Sequence, residues 1–172
     1  EKAFDSIDWN YLDGLLHRLG FGNFFRRCIS TLYNGSMAQV RVNGCLSEQF
    51  PICRGTRQGC PLSPMLFALA IEPLVYWIRR DAQVEGWRIP GGGEDRIALY
   101  ADDILLYLSN TQETGPRILK IISIFEDASD LRINRAKSLL VPVRGDKSKD
   151  TWAVGFPTIR TSFKYLGIVV SN

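Results

Sequence analysis

Residues 97–108 read IALYADDILLYL, an apolar run split in the middle by Asp102 and Asp103. A carboxylate buried without a partner costs several kcal/mol, so this run cannot simply continue through a core. In an unbroken strand neighbouring side chains point to opposite faces, and only a turn between two strands brings both carboxylates to one site. A hairpin bent at the aspartate pair is therefore expected. Two chemistries fit such a bend. Paired hard oxygen donors suit a divalent cation, Mg²⁺ first, whose charge would offset any burial of the carboxylates. Asp is also common in plain solvated turns.

Helical periodicity governs much of the remaining chain. Trp9, Leu12, Leu15, Leu16 and Leu19 predict a helix over 8–19, with Gly20 where a C-terminal cap belongs. A second helix over 23–33 is expected to bury Phe24, Phe25, Cys28, Ile29 and Leu32. In MAQVRVNGCLSEQFPI, Asn43-Gly44 suits the two positive φ angles of a type I′ hairpin turn. Residues 54–81 read as a Gly-rich loop feeding a helix, with Ser63 as N-cap, Pro64 in the first turn and a kink at Pro73. IPGGGED is a turn before the aspartate-bearing hairpin. Ile118, Ile121, Ile122 and Phe125 mark another amphipathic helix. Strands are expected at 138–143 and 164–170, separated by a polar, lysine-containing loop. Mixed elements without strict alternation favour an α+β class.

Composition narrows the function classes. The chain has 172 residues, 45% hydrophobic and 23% charged, with net charge +3. That is the balance of one ordinary globular domain, and too mild a charge to require a polyanionic partner. The four cysteines, Cys28, Cys45, Cys53 and Cys60, form no C-x-x-C pair, and His17 is the single histidine, so no zinc ligand set is completed. They read as free thiols in a reducing compartment. No apolar run approaches the roughly 20 residues that span a bilayer, so no membrane partner is expected. The start at Glu1 without Met and the end just past an apolar run read as a piece of something longer.

A second chemical feature is GTRQGCPLSP, residues 55–64. Glycines allow close backbone approach and a helix N-terminus attracts phosphate, so such a segment can hold a nucleotide. Taken alone, a Gly/Pro-rich connector is more often only a loop. Lys2, Lys137 and Lys164 are single basic residues that by themselves read as solvated side chains.

Taken in order, five segments resemble the reverse transcriptase of non-LTR, LINE-type retrotransposons. EKAFDSIDW is similar to the family's first palm motif, RQGCPLSP to the second, YADD to the third, LRINRAKS to the fourth and KYLGI to the fifth. The resemblance implies a right-hand polymerase palm, an antiparallel sheet backed by helices, spanning residues 1–172 with fingers and thumb largely missing. It implies RNA-directed DNA synthesis: dNTPs added to a DNA primer on an RNA template, with two Mg²⁺ (or Mn²⁺) ions as cofactors. Asp102 would be the direct metal ligand and Asp103 a weaker one. Tyr100 and Ala101 of the same motif lie on the substrate side. Phe4 matches an aromatic gate that clashes with a ribose 2′-hydroxyl, its other reading being core packing. Arg57, Gln58 and Gly59 match the loop along the incoming nucleotide. Lys137 resembles a proton donor to pyrophosphate, and Tyr165, Leu166 and Gly167 resemble the primer grip.

One departure is plain. The family's first motif carries a metal-binding Asp two residues before the Glu-Lys pair, and these residues begin at Glu1. Asp5 and Asp8 are nearby, but Asp5 matches a different position of the motif and is not promoted to a ligand. Residues 1–172 alone are accordingly expected to be inactive or nearly so. Two further readings stay open: a group II intron-type reverse transcriptase, and a retrotransposon relic that binds nucleic acid without catalysis. By family resemblance the protein would work in a cytoplasmic ribonucleoprotein and in the nucleus. Template, target site and oligomeric state are not specified, because stacking and phosphate contacts tolerate any sequence.

Overall fold

The computed structural model describes residues 3–141 and 162–171. Glu1, Lys2, residues 142–143 of an expected strand and the polar loop after it lie outside the described residues. A short 3-10 turn over Ala3–Asp5 leads into helix α1, Trp9–Arg18. Asp8 caps α1 by accepting the Tyr11 N–H at 2.7 Å. Gly20, at φ +84°, closes its other end: Gly20 N–H donates to His17 O and Phe21 N–H to Leu16 O, both at 3.0 Å. That paired closure is the Schellman pattern the glycine predicted.

Helix α2 spans Asn23–Tyr33, as expected, but buries a narrower stripe. Ile29 and Tyr33 are buried and Phe25 half-buried, whereas Phe24 is 84% exposed and Cys28 and Leu32 also face solvent. Residues 25, 29 and 33 recur every four positions and line one face, which is all that the short α1 can cover. Arg26, between them, pairs with Asp13 of α1 and holds that carboxyl below its ordinary range.

Helix α3, Ser63–Arg80, is the central platform. Leu66, Phe67, Ala70, Ile71, Leu74, Val75 and Ile78 are all buried at spacings of three and four. It continues past Pro73 as one element, and Tyr11 Oη donates to Ala70 O at 2.7 Å one turn earlier. Burial raises the Tyr11 phenol to about 12. Helix α4, Thr111–Ser129, packs on α3 through Ile118, Ile121, Ile122 and Phe125, the four residues its periodicity singled out. At the far end of α3, Asp81 joins the two helices by accepting Arg117 Nε at 2.9 Å and Nη2 at 2.5 Å. The Arg117 hydrogen bonds hold the Asp81 carboxyl below the usual carboxylate range.

Among the described residues the strands form five separate antiparallel pairs, not the single sheet expected. Strands β1 (Met37–Ala38) and β4 (Phe50–Pro51) pair at the base of a ribbon whose outer part is β2 (Arg41–Val42) with β3 (Cys45–Leu46). Its turn is Asn43-Gly44 at φ 51° and 85°, the two positive angles anticipated. Strand β5 (Trp87–Arg88) pairs with β6 (Glu94–Asp95), and β7 (Ile97–Tyr100) with β8 (Asp103–Leu106). Of these, β7 and β8 alone send several side chains inward, Ile97 into the core with Leu99, Ile104 and Leu106 against it. Two- to four-residue strands offer too few ladder bonds to extend a sheet, so each pair ends where its own turn chemistry ends. Residues 138–141 contain no strand, only a single bridge at Leu140. The expected strand over 164–170 is instead a hairpin of β9 (Ser162–Tyr165) and β10 (Ile168–Ser171), because Leu166 and Gly167 take φ 49° and 85°. The α+β class holds; the continuous sheet does not form among the described residues.

Candidate active site

The first and second motifs are laced together by their backbones. Thr56 N–H donates to Phe4 O at 2.7 Å, and its hydroxyl reaches the same oxygen at 3.2 Å. Gly55 N–H donates to Ile7 O at 2.8 Å, and Trp9 Nε1 donates to Gly55 O at 2.8 Å. Approach this close requires glycine: Gly55 sits at φ +88°, and a Cβ there would lie 2.7 Å from Asp5 O.

Between these segments opens a cleft of about 550 Å³, lined by Phe4, Arg57, Gln58, Gly59, Cys60 and the first residues of α3. Four residues named from sequence, Phe4, Arg57, Gln58 and Gly59, thus meet in one place. Phe4 is half-buried, its ring stacked on Phe67 with centroids 4.4 Å apart and planes 24° from parallel. Gln58 Nε2 faces both carboxylate oxygens of Asp5 at 3.3 and 3.4 Å, and Arg57 Nη2 donates to Ser36 Oγ at 3.1 Å. Ser63 is not the N-cap: Leu62 holds that position, and Ser63 Oγ donates to Arg57 O at 2.6 Å, tying the loop to the helix. Below it the Tyr33 hydroxyl is buried without a hydrogen-bond partner, and burial pushes its phenol above the ordinary range.

The aspartate pair occupies the bend of the β7–β8 hairpin. Tyr100 pairs with Asp103, leaving Ala101 and Asp102 as the two-residue tip. Both aspartates are exposed, so the feared burial cost does not arise and no cation is needed to offset it. Tyr100 is 62% exposed and Ala101 sits at φ +52°, left-handed backbone that an alanine adopts only against its preference. Two adjacent carboxylates have the donor chemistry a hard cation takes, but fewer oxygens than its six. Among the described residues no group of three or more His, Cys, Asp or Glu side chains is placed to hold a metal ion.

The remaining named residues are not gathered at the cleft. Tyr100, Ala101, Asp102 and Asp103 are absent from its lining. Lys137 is exposed in a turn where its N–H donates to Asn134 O and Oδ1 at 3.1 and 3.2 Å. Tyr165, Leu166 and Gly167 form the bend of the β9–β10 hairpin. Sequence reading missed Thr56, Trp9, Phe67 and Asp5 as supports of the cleft. Phe67 has a visible signal, its place in the buried stripe of α3, but a stripe does not say which aromatic partner it meets.

Residues 1–170 match the family model described as Reverse transcriptase (RNA-dependent DNA polymerase). The chain is 34% identical over 176 residues to a transposon TX1 uncharacterized 149 kDa protein of Xenopus laevis, covering 99% of this chain and 13% of that protein. It is 28% identical to a retrovirus-related Pol polyprotein from the type-2 retrotransposable element R2DM of Drosophila melanogaster, covering 97% and 16%. A Pol polyprotein from the type-1 element R2 of Nasonia vitripennis is 30% identical, covering 100% and 18%. The chain therefore spans less than a fifth of the length of these three relatives. With a match over nearly every residue and these relatives, the chain belongs to the reverse transcriptase family, on its non-LTR retrotransposon side.

Proposed function

We infer that these residues are the palm of an RNA-directed DNA polymerase that adds dNTPs to a DNA primer on an RNA template and serves retrotransposition. The observation that carries the reading is the cleft in which Phe4 of the first motif meets Arg57, Gln58 and Gly59 of the second. Its shape gives it an apolar floor, Phe4 on Phe67, and a polar wall where Arg57 offers charge and Gln58 an amide. A nucleotide fits that division: a sugar against the ring and phosphates toward the guanidinium.

Asp102, with Asp103 beside it, would hold a divalent ion, Mg²⁺ or Mn²⁺. Such an ion supplies neutralisation of triphosphate charge and activation of a primer hydroxyl. Lys137 is the candidate proton donor, Tyr165, Leu166 and Gly167 the primer-side hairpin, and Tyr100 and Ala101 the substrate-side residues of the aspartate hairpin. Asp102 and Asp103 are two of the carboxylates the family's metals use, and this polypeptide is expected to bind nucleotide and cation. The retrotransposon names of its relatives favour this over a group II intron-type enzyme. Cytoplasmic assembly with RNA and DNA synthesis in the nucleus are the compartments that go with it.

The test is Mn²⁺ binding followed by paramagnetic broadening of backbone amides, with and without dATP. Broadening centred on residues 100–104 that Asp102→Ala abolishes supports the polymerase reading. Equal behaviour of wild type and Asp102→Ala moves the non-catalytic relic to the front.

A further inference from the structure

Phe67 stands out among the core residues of α3. It is 3% exposed, and so belongs to the packing of the platform, yet its ring face is the surface on which Phe4 rests. Phe4 in turn lines the cleft. One side of a buried aromatic thus sets the position of a half-buried one that a ligand can touch.

The constraint comes from two directions. The Phe4 carbonyl is fixed by the Thr56 N–H at 2.7 Å and the Thr56 hydroxyl at 3.2 Å. Thr56 is itself buried, and Gly55 before it is pinned by Ile7 O and Trp9 Nε1. With the Phe4 carbonyl held, the support that keeps its ring from sinking away from the cleft is the ring it stacks on. Phe4 meets Phe67 at ring-stacking distance, and a close-packed interior gives a neighbour no room to retreat. We propose that Phe67 is a positioning residue that holds the Phe4 ring up against the sugar of a bound nucleotide, and so sets discrimination against a 2′-hydroxyl. This rests on the reading of Phe4 as the residue facing that sugar. Phe67 touches no substrate; it acts by denying Phe4 a lower position.

A flat, rigid ring matters here more than apolar volume. Phe67→Leu leaves a void under Phe4 and Phe67→Met fills it with a flexible chain that can part, so both allow the ring to sink. Packing against an added hydroxyl discriminates by at most about a hundredfold, so the loss is expected to be about tenfold.

The experiment titrates residues 1–172 with dATP and with ATP in Mg²⁺, by NMR, and compares the ratio of the two dissociation constants. Wild type is expected to favour dATP. Phe67→Leu and Phe67→Met should cut that ratio about tenfold, chiefly by tightening ATP, with dATP affinity within about threefold of wild type. Thr56→Val, which removes only the hydroxyl from the Phe4 carbonyl, should cut it about two- to threefold. It also serves if a Phe67 variant fails to fold. A purely structural role for Phe67 would weaken both nucleotides equally and leave the ratio unchanged, which overturns the proposal. Wild type that binds neither nucleotide, or both equally, defeats the reading of Phe4 itself and the role of Phe67 with it.

Discussion

The cleft and the β7–β8 tip, the two halves of the candidate site, are built in opposite ways. The cleft wall is laced by backbone hydrogen bonds from Thr56 and Gly55 and by the Trp9 indole N–H, all at 2.7–2.8 Å, and rests on the buried face of α3. The tip carries one exposed carboxylate, Asp102, on a two-residue bend and a second, Asp103, at the start of β8, with Ala101 in left-handed backbone and the flanking strands anchored only farther in. The half that would read shape is rigid by virtue of the protein alone. The half that would handle charge is presented to solvent. Preorganisation is concentrated where discrimination between neutral shapes needs it, since packing must be in place before a ligand arrives.

The sharpest way to break this contrast is Gly55→Ala. Its Cβ would fall 2.7 Å from Asp5 O at φ +88°, so the second motif must lift from the first. A stability loss of about 2–4 kcal/mol is expected by denaturant titration, with loss of dATP binding and an unaltered hairpin tip by amide NMR shifts. Next is the platform beneath the cleft. Replacing Asp81 with Asn removes a charge-assisted pair to Arg117 and should cost about 1.5–3 kcal/mol at pH 7. Arg117 depresses the Asp81 pKa in the folded protein. Its contribution is therefore full above the unfolded carboxylate pKa of about 4 and is lost as pH falls through the lower, folded value. The gap between wild type and Asp81→Asn should close over that acid range; a gap that persists would mean the asparagine costs packing and not charge.

Local chemistry was legible in the sequence where one residue dictates one geometry. Asn43-Gly44, Gly20 and the Asp102 bend all fell where turn and cap rules put them, and the inward face of α4 followed its periodicity, as did that of α1 apart from Leu19, which is 48% exposed. What failed required knowing a partner. Phe24 and Leu32 are as apolar as Phe25 and Ile29, and only the position of α1 decides which side of α2 is covered. Leu166-Gly167 looked like the interior of a strand because Leu is a poor advertisement for positive φ. The cleft's Phe4, Arg57, Gln58 and Gly59 came from motif resemblance, while its supports, Trp9, Thr56, Phe67 and Asp5, are contacts across 46 to 53 positions of sequence or more, which no local pattern encodes.

A smaller effect separates the hydrogen bond from the packing in the cleft wall. Trp9→Phe keeps most of the ring against Tyr33 but leaves Gly55 O without its side-chain donor. The expected loss is about 1 kcal/mol. If nucleotide affinity falls by more than that free energy implies, the bond positions the loop as well as stabilising it, and the rigid side of the comparison is strengthened.

The smallest predicted change has the opposite sign and bears on the tip. Alanine in left-handed backbone costs about 1–2 kcal/mol that glycine does not incur, whereas glycine adds about 0.4–1 kcal/mol of unfolded-state entropy. At Ala101, with φ +52°, the balance favours Ala101→Gly by about 0.5 kcal/mol. A residue that weakens its own turn while holding Asp102 and Asp103 on a stiffer backbone is what a charge-handling tip would retain. Ala101→Gly should therefore raise the unfolding midpoint slightly and at the same time weaken Mn²⁺ binding, since a looser bend must be ordered when the cation arrives. A destabilised Ala101→Gly protein would show that the methyl group packs favourably and that the tip holds no strain. The two halves of the site would then differ in exposure alone.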